Sequence, residues 1–209
     1  YLGSVPLIVG VNMDVPARNL RDFVNLAKAK PGHVTFASAS TSQLVSSEML
    51  ASMAGVQMTN VPYKSGPAAM TDLIGGQVNM FTADFAVMLP QVKGGKVRGL
   101  AVTSTQRSQA IPELPTVNEA LGIKDYELIA YFAMFAPAGT PKDIIRRVNS
   151  ETPKAYFGDV ALREKFLTAT GILWNHAPAG VSPEQFAEFL AKERKMYLDL
   201  VRIAKIKVE

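Results

Sequence analysis

The chain has 209 residues, of which 48% are hydrophobic and 19% are charged, and its formal net charge is +4. This composition is typical of a globular α/β protein, and no apolar run approaches the roughly 20 residues that a membrane-spanning helix needs. The chain contains no cysteine, which excludes disulfides, thiol chemistry and cysteine-ligated metal sites.

The positive charge is distributed unevenly along the chain but forms no dense cluster. Residues 1–140 carry ten Lys/Arg and nine Asp/Glu, and residues 141–209 carry twelve and nine. The excess is dispersed along helical segments, which favours solvated helix faces over a nucleic-acid surface, so we expect no nucleic-acid partner. A mildly positive body also favours anionic ligands. Residues 1–4 have neither a basic start nor an apolar stretch, so no signal peptide is expected in this chain. That fits a mature or trimmed chain, or a cytosolic protein.

The first half of the chain alternates apolar β-type runs with segments of helical periodicity. Predicted strands cover residues 7–11, 34–36, 58–61, 78–82 and 97–103. Predicted helices cover residues 20–27, 44–54, 67–74 and 87–92, several of them ended by glycine. Strand–helix alternation of this kind predicts an α/β fold with a doubly wound, mostly parallel sheet.

The pattern changes after this alternation. Residues 107–117 are predicted to be a connector, 128–135 a strand and 137–209 mainly helical, with one short strand candidate at 172–174. Thr140 is predicted to cap a helix with Pro141 in its first position, and Ser182 with Gln185 forms the spacing of a capping box. These helices carry an apolar stripe that must be buried against another element. We therefore expect them to pack against another copy or against residues outside this chain.

Small polar residues follow the second predicted strand and open a helix. Ligands of open α/β sheets bind at the carboxyl ends of strands, and a helix N-terminus there offers N–H groups and a positive dipole end. Ser38, Ser40, Thr41 and Ser42 are therefore candidate donors to a carboxylate or phosphate. The alternative is a simple Ser/Thr cap on a surface helix.

Two further strand ends carry polar residues. Tyr63 and Lys64 lie between a strand and a helix, where Lys64 could contact an anion or remain a solvated turn lysine. Asp84 follows another strand and could accept a hydrogen bond from a ligand hydroxyl or ammonium group, or cap the next helix. His33 and His176 lack the spacing of metal ligands. We find no G-x-S-x-G or Walker A pattern, and no nucleophile with a base can be named.

Eight ordered segments resemble the extracytoplasmic solute receptors of the tripartite tricarboxylate transporters, the Bug receptors. The most specific is VPYKSGPAAMTDLIGGQV at residues 61–78. The other segments lie at residues 3–7, 27–32, 48–55, 89–96, 100–104, 111–117 and 136–141. Together they extend over essentially the whole chain.

The resemblance implies a type II periplasmic-binding fold, in which two α/β lobes joined by crossing strands enclose a small anionic solute. Residues 12–128 would form the second lobe with half of the ligand cleft. Residues 1–11 and 129–136 would be crossover strands, and residues 137–209 would be the C-terminal helical part of an incomplete first lobe. Two departures are expected: an N-terminal segment of the first lobe is absent, and the family's glycine-rich loop is replaced by a shorter one at residues 37–42.

The resemblance therefore predicts a periplasmic receptor that captures a small carboxylate by closure of two lobes and passes it to membrane permease subunits. We expect no enzymatic activity, cofactor or metal, and we expect self-association through the C-terminal helices to be one way of covering them. The candidate ligand-binding residues are Ser38, Ser40, Thr41, Ser42, Tyr63, Asp84 and Tyr131, the last at the base of the cleft. The alternatives are a ligand-sensing effector module of a transcriptional regulator and a hydrolase or transferase.

Overall fold

The computed structural model describes residues 1–172 and 181–203. Its elements, in chain order, are β1 (Gly3–Asn12), α1 (Leu20–Ala29), β2 (Thr35–Ser38), α2 (Thr41–Ala54), β3 (Thr59–Pro62), α3 (Gly66–Ile74), β4 (Met80–Asp84), α4 (Phe85–Lys93), β5 (Val97–Val102), α5 (Val117–Leu121), β6 (Ile129–Phe132), α6 (Lys142–Phe157), α7 (Val160–Thr170) and α8 (Pro183–Ile203). The strands and helices predicted for residues 7–103 are all present, with ends shifted by a few residues.

The sheet has the strand order β3-β2-β4-β1-β5. β2 pairs in parallel with β3 and β4, whereas β1 pairs antiparallel with both β4 and β5. Four of these five strands therefore share one direction, and β1 runs against them in the middle. The expected mostly parallel arrangement holds for those four strands, but the sheet as a whole is mixed. All ten residues of β1 are buried, which explains its continuous apolar run.

Helices cover both faces of the sheet. On one face, α1 and α2 bury residues such as Phe23 and Leu50 in a core that includes Leu7 of β1. On the other face, α3 and α4 pack in a second core that includes Ile8. Leu7 and Ile8 are adjacent yet belong to opposite cores, because successive side chains of a strand point to opposite faces. The α/β class and the two-faced winding predicted from the sequence are thus confirmed.

β1 extends beyond the end of its neighbour β4. Leu7 lies opposite Asp84, the last residue of β4. Residues 3–6 therefore project past the sheet edge at which β4 ends, and there they pair with β6, with Gly3 opposite Phe132. We call this two-stranded extension, residues 3–6 with 129–132, the β1–β6 ribbon. The predicted division into a lobe at 12–128, crossover strands and a C-terminal part stays a prediction, and residues 7–12 of β1 lie inside the sheet.

One buried hydroxyl joins the ribbon to the sheet. Thr103 Oγ1 accepts a hydrogen bond from the Leu7 N–H at 2.7 Å and donates to the Leu128 carbonyl at 2.6 Å. All three residues are fully buried. Because buried main-chain groups need partners, this side chain satisfies two of them at the point where β1, β5 and the start of β6 meet.

One prediction about the connecting segments is wrong. The helix expected to be capped by Thr140 begins at Lys142, with Pro141 in the cap position and no side-chain cap bond. The Thr140 hydroxyl donates instead to the Pro137 carbonyl at 2.8 Å, which closes a preceding turn. The connector predicted at residues 107–117 is present up to Thr116. The sequence prediction missed α5, which starts at Val117 and is capped by Thr116 and Glu119 in a capping box.

The predicted capping box at Ser182 is confirmed. The Gln185 N–H donates to Ser182 Oγ at 3.2 Å, and the Ser182 N–H donates to Gln185 Oε1 at 2.9 Å. Of the strand candidate at 172–174, only Ile172 lies within the described residues, and it is not in a strand. Leu173, Trp174 and His176 lie outside the described residues.

The apolar stripe of the C-terminal helices is covered unequally. On α6, Ile144 is 49% exposed and Val148 is 46% exposed. On α8, Phe186 is buried, with its ring centroid 5.6 Å from that of Tyr1 and 6.1 Å from that of Tyr131. The stripe of α8 thus packs on the β1–β6 ribbon, whereas part of the α6 stripe is left open. Self-association through these helices stays a prediction.

Glu193 lies on α8 beyond these aromatic rings. Its Oε2 atom is buried and has no hydrogen-bond partner within residues 1–172 and 181–203. Burial, and secondarily the neighbouring carboxylate of Glu127, raises the pKa of Glu193 above its ordinary value. The ionised form of Glu193 is therefore disfavoured in the folded protein.

We expect Thr103→Val to destabilise the fold, because valine keeps the shape of threonine but leaves the Leu7 N–H and the Leu128 carbonyl without this partner. The free energy of unfolding should fall by about 2–4 kcal/mol, the cost of two buried groups left unpaired. Chemical denaturation measures the change. As a matched control, Thr105→Val removes an exposed hydroxyl that makes only a 3.4 Å bond to Glu127 and should have little effect. Equal stability of the two variants would contradict the role assigned to Thr103.

We expect Glu193→Gln to raise the melting temperature at pH 7–8. The raised pKa of Glu193 means that the folded protein binds this proton more tightly than the unfolded chain does, so ionisation lowers stability as pH rises above the ordinary glutamate pKa of about 4.3. Glutamine removes that effect, and the difference between variant and wild type should shrink as pH falls towards 4. Glu188→Gln, on the exposed side of the same helix, is the control. A stabilisation that grew at low pH would refute the assignment.

Candidate functional site

Three strand ends meet at one edge of the sheet. β2, β3 and β4 run in the same direction, so Ser38, the loop with Tyr63, and Asp84 lie at the same edge. The β1–β6 ribbon projects from this edge, because β1 runs the other way. This is the edge at which open α/β sheets bind ligands. We call it the strand-end edge.

The N-terminus of α2 is the most exposed part of this edge. Ser40 is the cap residue, and its Oγ accepts a hydrogen bond from the Gln43 N–H at 3.4 Å. Ser40 and Thr41 are exposed and Ser42 is half-buried. The first turn of this 14-residue helix contains no acidic residue. The first N–H groups of a helix have no intrahelical partner, and the dipole makes this end positive. An anion can therefore be held here by main-chain and hydroxyl donors together.

Gln43 connects this helix to Asp84, and the sequence prediction missed it. Its side chain is buried; Oε1 accepts from the Ala39 N–H at 2.8 Å, and Nε2 donates to Asp84 Oδ2 at 3.4 Å. Asp84 occupies the cap position of α4, but its side chain makes no cap hydrogen bond. The signal that could have identified Gln43 is the Ser-x-x-Gln spacing of residues 40–43, since the third helical residue of a capping box reaches back to the main chain before the helix.

The hydroxyl protons of Ser38 and Tyr63 are used within the protein. Ser38 is buried and donates to Asn60 Oδ1 at 2.8 Å. The Tyr63 hydroxyl donates to Asp72 Oδ2 on α3 at 2.8 Å. Burial and this carboxylate raise the pKa of Tyr63 to about 12. In this arrangement both residues shape the edge, and their role as ligand donors stays a prediction.

Ser42 and Tyr131 lie under α8. The Tyr197 side chain of α8 lies beside Ser42 and packs against the core that contains α2. Burial is the main cause of a raised pKa at Tyr197, and the neighbouring Glu193 and Tyr131 raise it further. The interaction with the Ser42 side chain lowers this pKa. The Tyr131 ring packs edge-on against Phe189, with 5.4 Å between centroids. α8 therefore contacts both of these predicted residues.

Other features of the described chain do not converge on this edge. No group of three or more His, Cys, Asp or Glu side chains able to hold a metal ion occurs among residues 1–172 and 181–203. Within those same residues, no helix is both long and apolar enough to cross a membrane. A shallow depression of about 380 Å³ lies on α8, lined by Lys192, Lys195, Met196 and Asp199; none of these is among the predicted site residues.

Comparison with known proteins identifies relatives with the same architecture. Residues 1–202 match the model of the tripartite tricarboxylate transporter family receptors. The chain is 32% identical over 200 residues to a Pseudomonas protein encoded between tcbD and tcbE, and 30% identical over 203 residues to BugT of Bordetella pertussis. These alignments cover 95% and 96% of the chain but 58% and 60% of the two relatives. The chain thus spans less than two thirds of their length.

Solved structures agree with this assignment. Rpa4515 of R. palustris, determined with adipate, superposes with a TM-score of 0.87 at 27% identity, over 98% of this chain and 67% of that one. The periplasmic binding protein BugD gives 0.83 at 26% identity, over 99% and 68%. MatC from Rhodopseudomonas palustris, with bound malate, gives 0.82 at 25% identity, over 96% and 67%.

These matches confirm the resemblance and the fold class that the sequence predicted. The family is one of transport receptors, which also agrees with the expectation that the protein is not an enzyme. The chain belongs to the receptor family of the tripartite tricarboxylate transporters.

Proposed function

We propose that this protein is a periplasmic solute receptor that captures a small carboxylate at the strand-end edge and delivers it to the membrane permease subunits of a tripartite tricarboxylate transporter. The observation that carries the proposal is the exposed N-terminus of α2, with Ser40, Thr41 and Ser42 around its positive end and no acid in its first turn. Two relatives of the same fold were determined with adipate and with malate, which are carboxylates.

The electrostatics of the chain support an anionic ligand. A carboxylate at the start of α2 accepts hydrogen bonds from free N–H groups and hydroxyls, and the helix dipole favours its charge. The net charge of +4 lowers the free energy of an approaching anion. The family match favours this receptor over an effector module of a transcriptional regulator, because the motifs and fold are those of transport receptors.

Capture by closure is the second part of the proposal. About one third of each solved relative lies outside the matched region, and hinged binding proteins trap a ligand between two parts that move together. The β1–β6 ribbon rises from the strand-end edge, and α8 packs across it onto Ser42. A ligand at the α2 N-terminus would therefore be bordered by the ribbon on one side.

We expect small carboxylates to raise the melting temperature of the purified protein, because a ligand that binds only the folded state stabilises it by mass action. A thermal-shift panel of succinate, L-malate, adipate and citrate, followed by isothermal titration calorimetry, tests this expectation. Neutral analogues such as the corresponding diamides serve as negative controls. If no carboxylate in the panel binds, the proposed function is wrong.

The Thr41→Glu variant separates a binding role of the α2 N-terminus from a structural one. A carboxylate in the first turn of a helix is favourable, so the variant should be as stable as the wild type or more stable by about 0.3–1 kcal/mol. The same charge should repel the ligand and weaken carboxylate binding by at least about tenfold, or 1.4 kcal/mol. Thr71→Glu, at an exposed position inside α3, changes the net charge equally and should bind as the wild type does. Equal weakening in both variants, or none in Thr41→Glu, would argue against this site.

A further inference from the structure

The carboxylate of Asp84 faces α2 rather than its own helix. Asp84 stands at the cap position of α4 without making a side-chain cap bond. It accepts a hydrogen bond instead from Gln43 Nε2, at 3.4 Å to Oδ2. Asp84 is half-exposed, and a carboxylate has about four lone-pair sites in all. The carboxylate therefore retains acceptor capacity towards solvent at the strand-end edge.

The orientation of Gln43 is determined by its surroundings. The Ala39 N–H donates at 2.8 Å to one end of the Gln43 amide, so that end must be the oxygen. The NH₂ group is consequently the end that points at Asp84. Gln43 is 5% exposed and its own N–H is bonded to Ser40 Oγ. The Gln43 side chain thus spans the distance between the α2 N-terminus and the Asp84 carboxylate.

A ligand carboxylate at the α2 N-terminus therefore lies near a second, protein carboxylate. Two carboxylates this close repel each other unless a hydrogen-bond donor stands between them. A hydroxyl or ammonium group on the carbon next to the ligand carboxylate is such a donor. Hydrogen bonds from a charged or hydroxyl donor to a carboxylate are among the stronger ones in proteins.

We propose that Asp84, positioned by Gln43, selects carboxylates that carry a hydroxyl or ammonium group beside the carboxylate, over plain dicarboxylates. This inference rests on the proposed function and names the substrate class of the same site. A plain α,ω-dicarboxylate has no donor to offer Asp84. Of the two ligands found in solved relatives, malate has such a hydroxyl and adipate has not, and the geometry of this chain assigns it to the malate type.

Three four-carbon ligands test the selection, because they differ only at one carbon: succinate has no donor, L-malate has a hydroxyl and L-aspartate has an ammonium group. Calorimetric titration of the purified wild-type protein should give a Kd for malate, aspartate or both that is at least about tenfold lower than that for succinate. The Asp84→Asn variant keeps the shape of the side chain and removes its charge. In this variant the preference should fall to about threefold or less, mainly because succinate binds more tightly.

The control is Asp14→Asn, which makes the same charge change at an exposed residue after the C-terminal end of β1, at the opposite edge of the sheet. It should leave the ratio of the two Kd values unchanged. Equal affinities for all three ligands in the wild type, or an undiminished preference in Asp84→Asn, would overturn the inference and leave carboxylate binding intact. Failure of all three ligands to bind while adipate or citrate binds would overturn this inference alone, and failure of every carboxylate would overturn the proposed function as well.

Discussion

The arrangement of this protein depends on the antiparallel position of β1 in the middle of the sheet. With β1 between them, β4 and β5 keep the direction of β2 and β3, so the polar strand ends collect at one edge. Because β1 runs the other way, its first residues extend beyond that edge and pair there with β6. Burial of every residue of β1 requires partners for all of its main-chain groups, and β4, β5, β6 and the Thr103 hydroxyl provide them.

Much of this fold could be predicted from local sequence patterns. The apolar run at residues 7–11, the glycine stops and the capping patterns depend on neighbouring residues, and they predicted elements that the structure contains. The direction of β1 could not be predicted, because a fully buried strand has the same apolar run whether its neighbours are parallel or antiparallel. The failed cap at Thr140 shows the same limit: the helix begins one residue later, and the Thr140 hydroxyl donates to the Pro137 carbonyl in the preceding turn.

The candidate site was predictable in place but not in detail. Strand ends followed by Ser40, Thr41 and Asp84 indicated that these residues share one edge of the sheet, because parallel strands end together. The hydroxyl of Ser38 is bonded to Asn60, and Gln43 meets Asp84 across 41 positions of sequence. Such pairings depend on the tertiary fold, which no local pattern contains. Binding by the seven predicted residues remains a prediction. The structure places two of them in an exposed group at α2, uses the protons of two others internally, packs two near α8 and holds the seventh, Asp84, against Gln43.

The single hydroxyl at Thr103 has a mechanical consequence. It fixes the root of the ribbon, where Leu7 and Leu128 leave the sheet, whereas the far end is contacted by other parts of the chain: Ile172 lies beside Gly3, and Phe189 of α8 packs on Tyr131. Because the root is fixed to the sheet, any displacement of the ribbon relative to the sheet grows with distance from Thr103. Small rotations there would carry Tyr131 and its aromatic neighbours through a wider arc, while Asp84, opposite the root at Leu7, stays almost still. Asp84 is thus held at the fixed end of the ribbon, whereas Tyr131 and the α8 rings packed on it lie at the end that such a rotation would move.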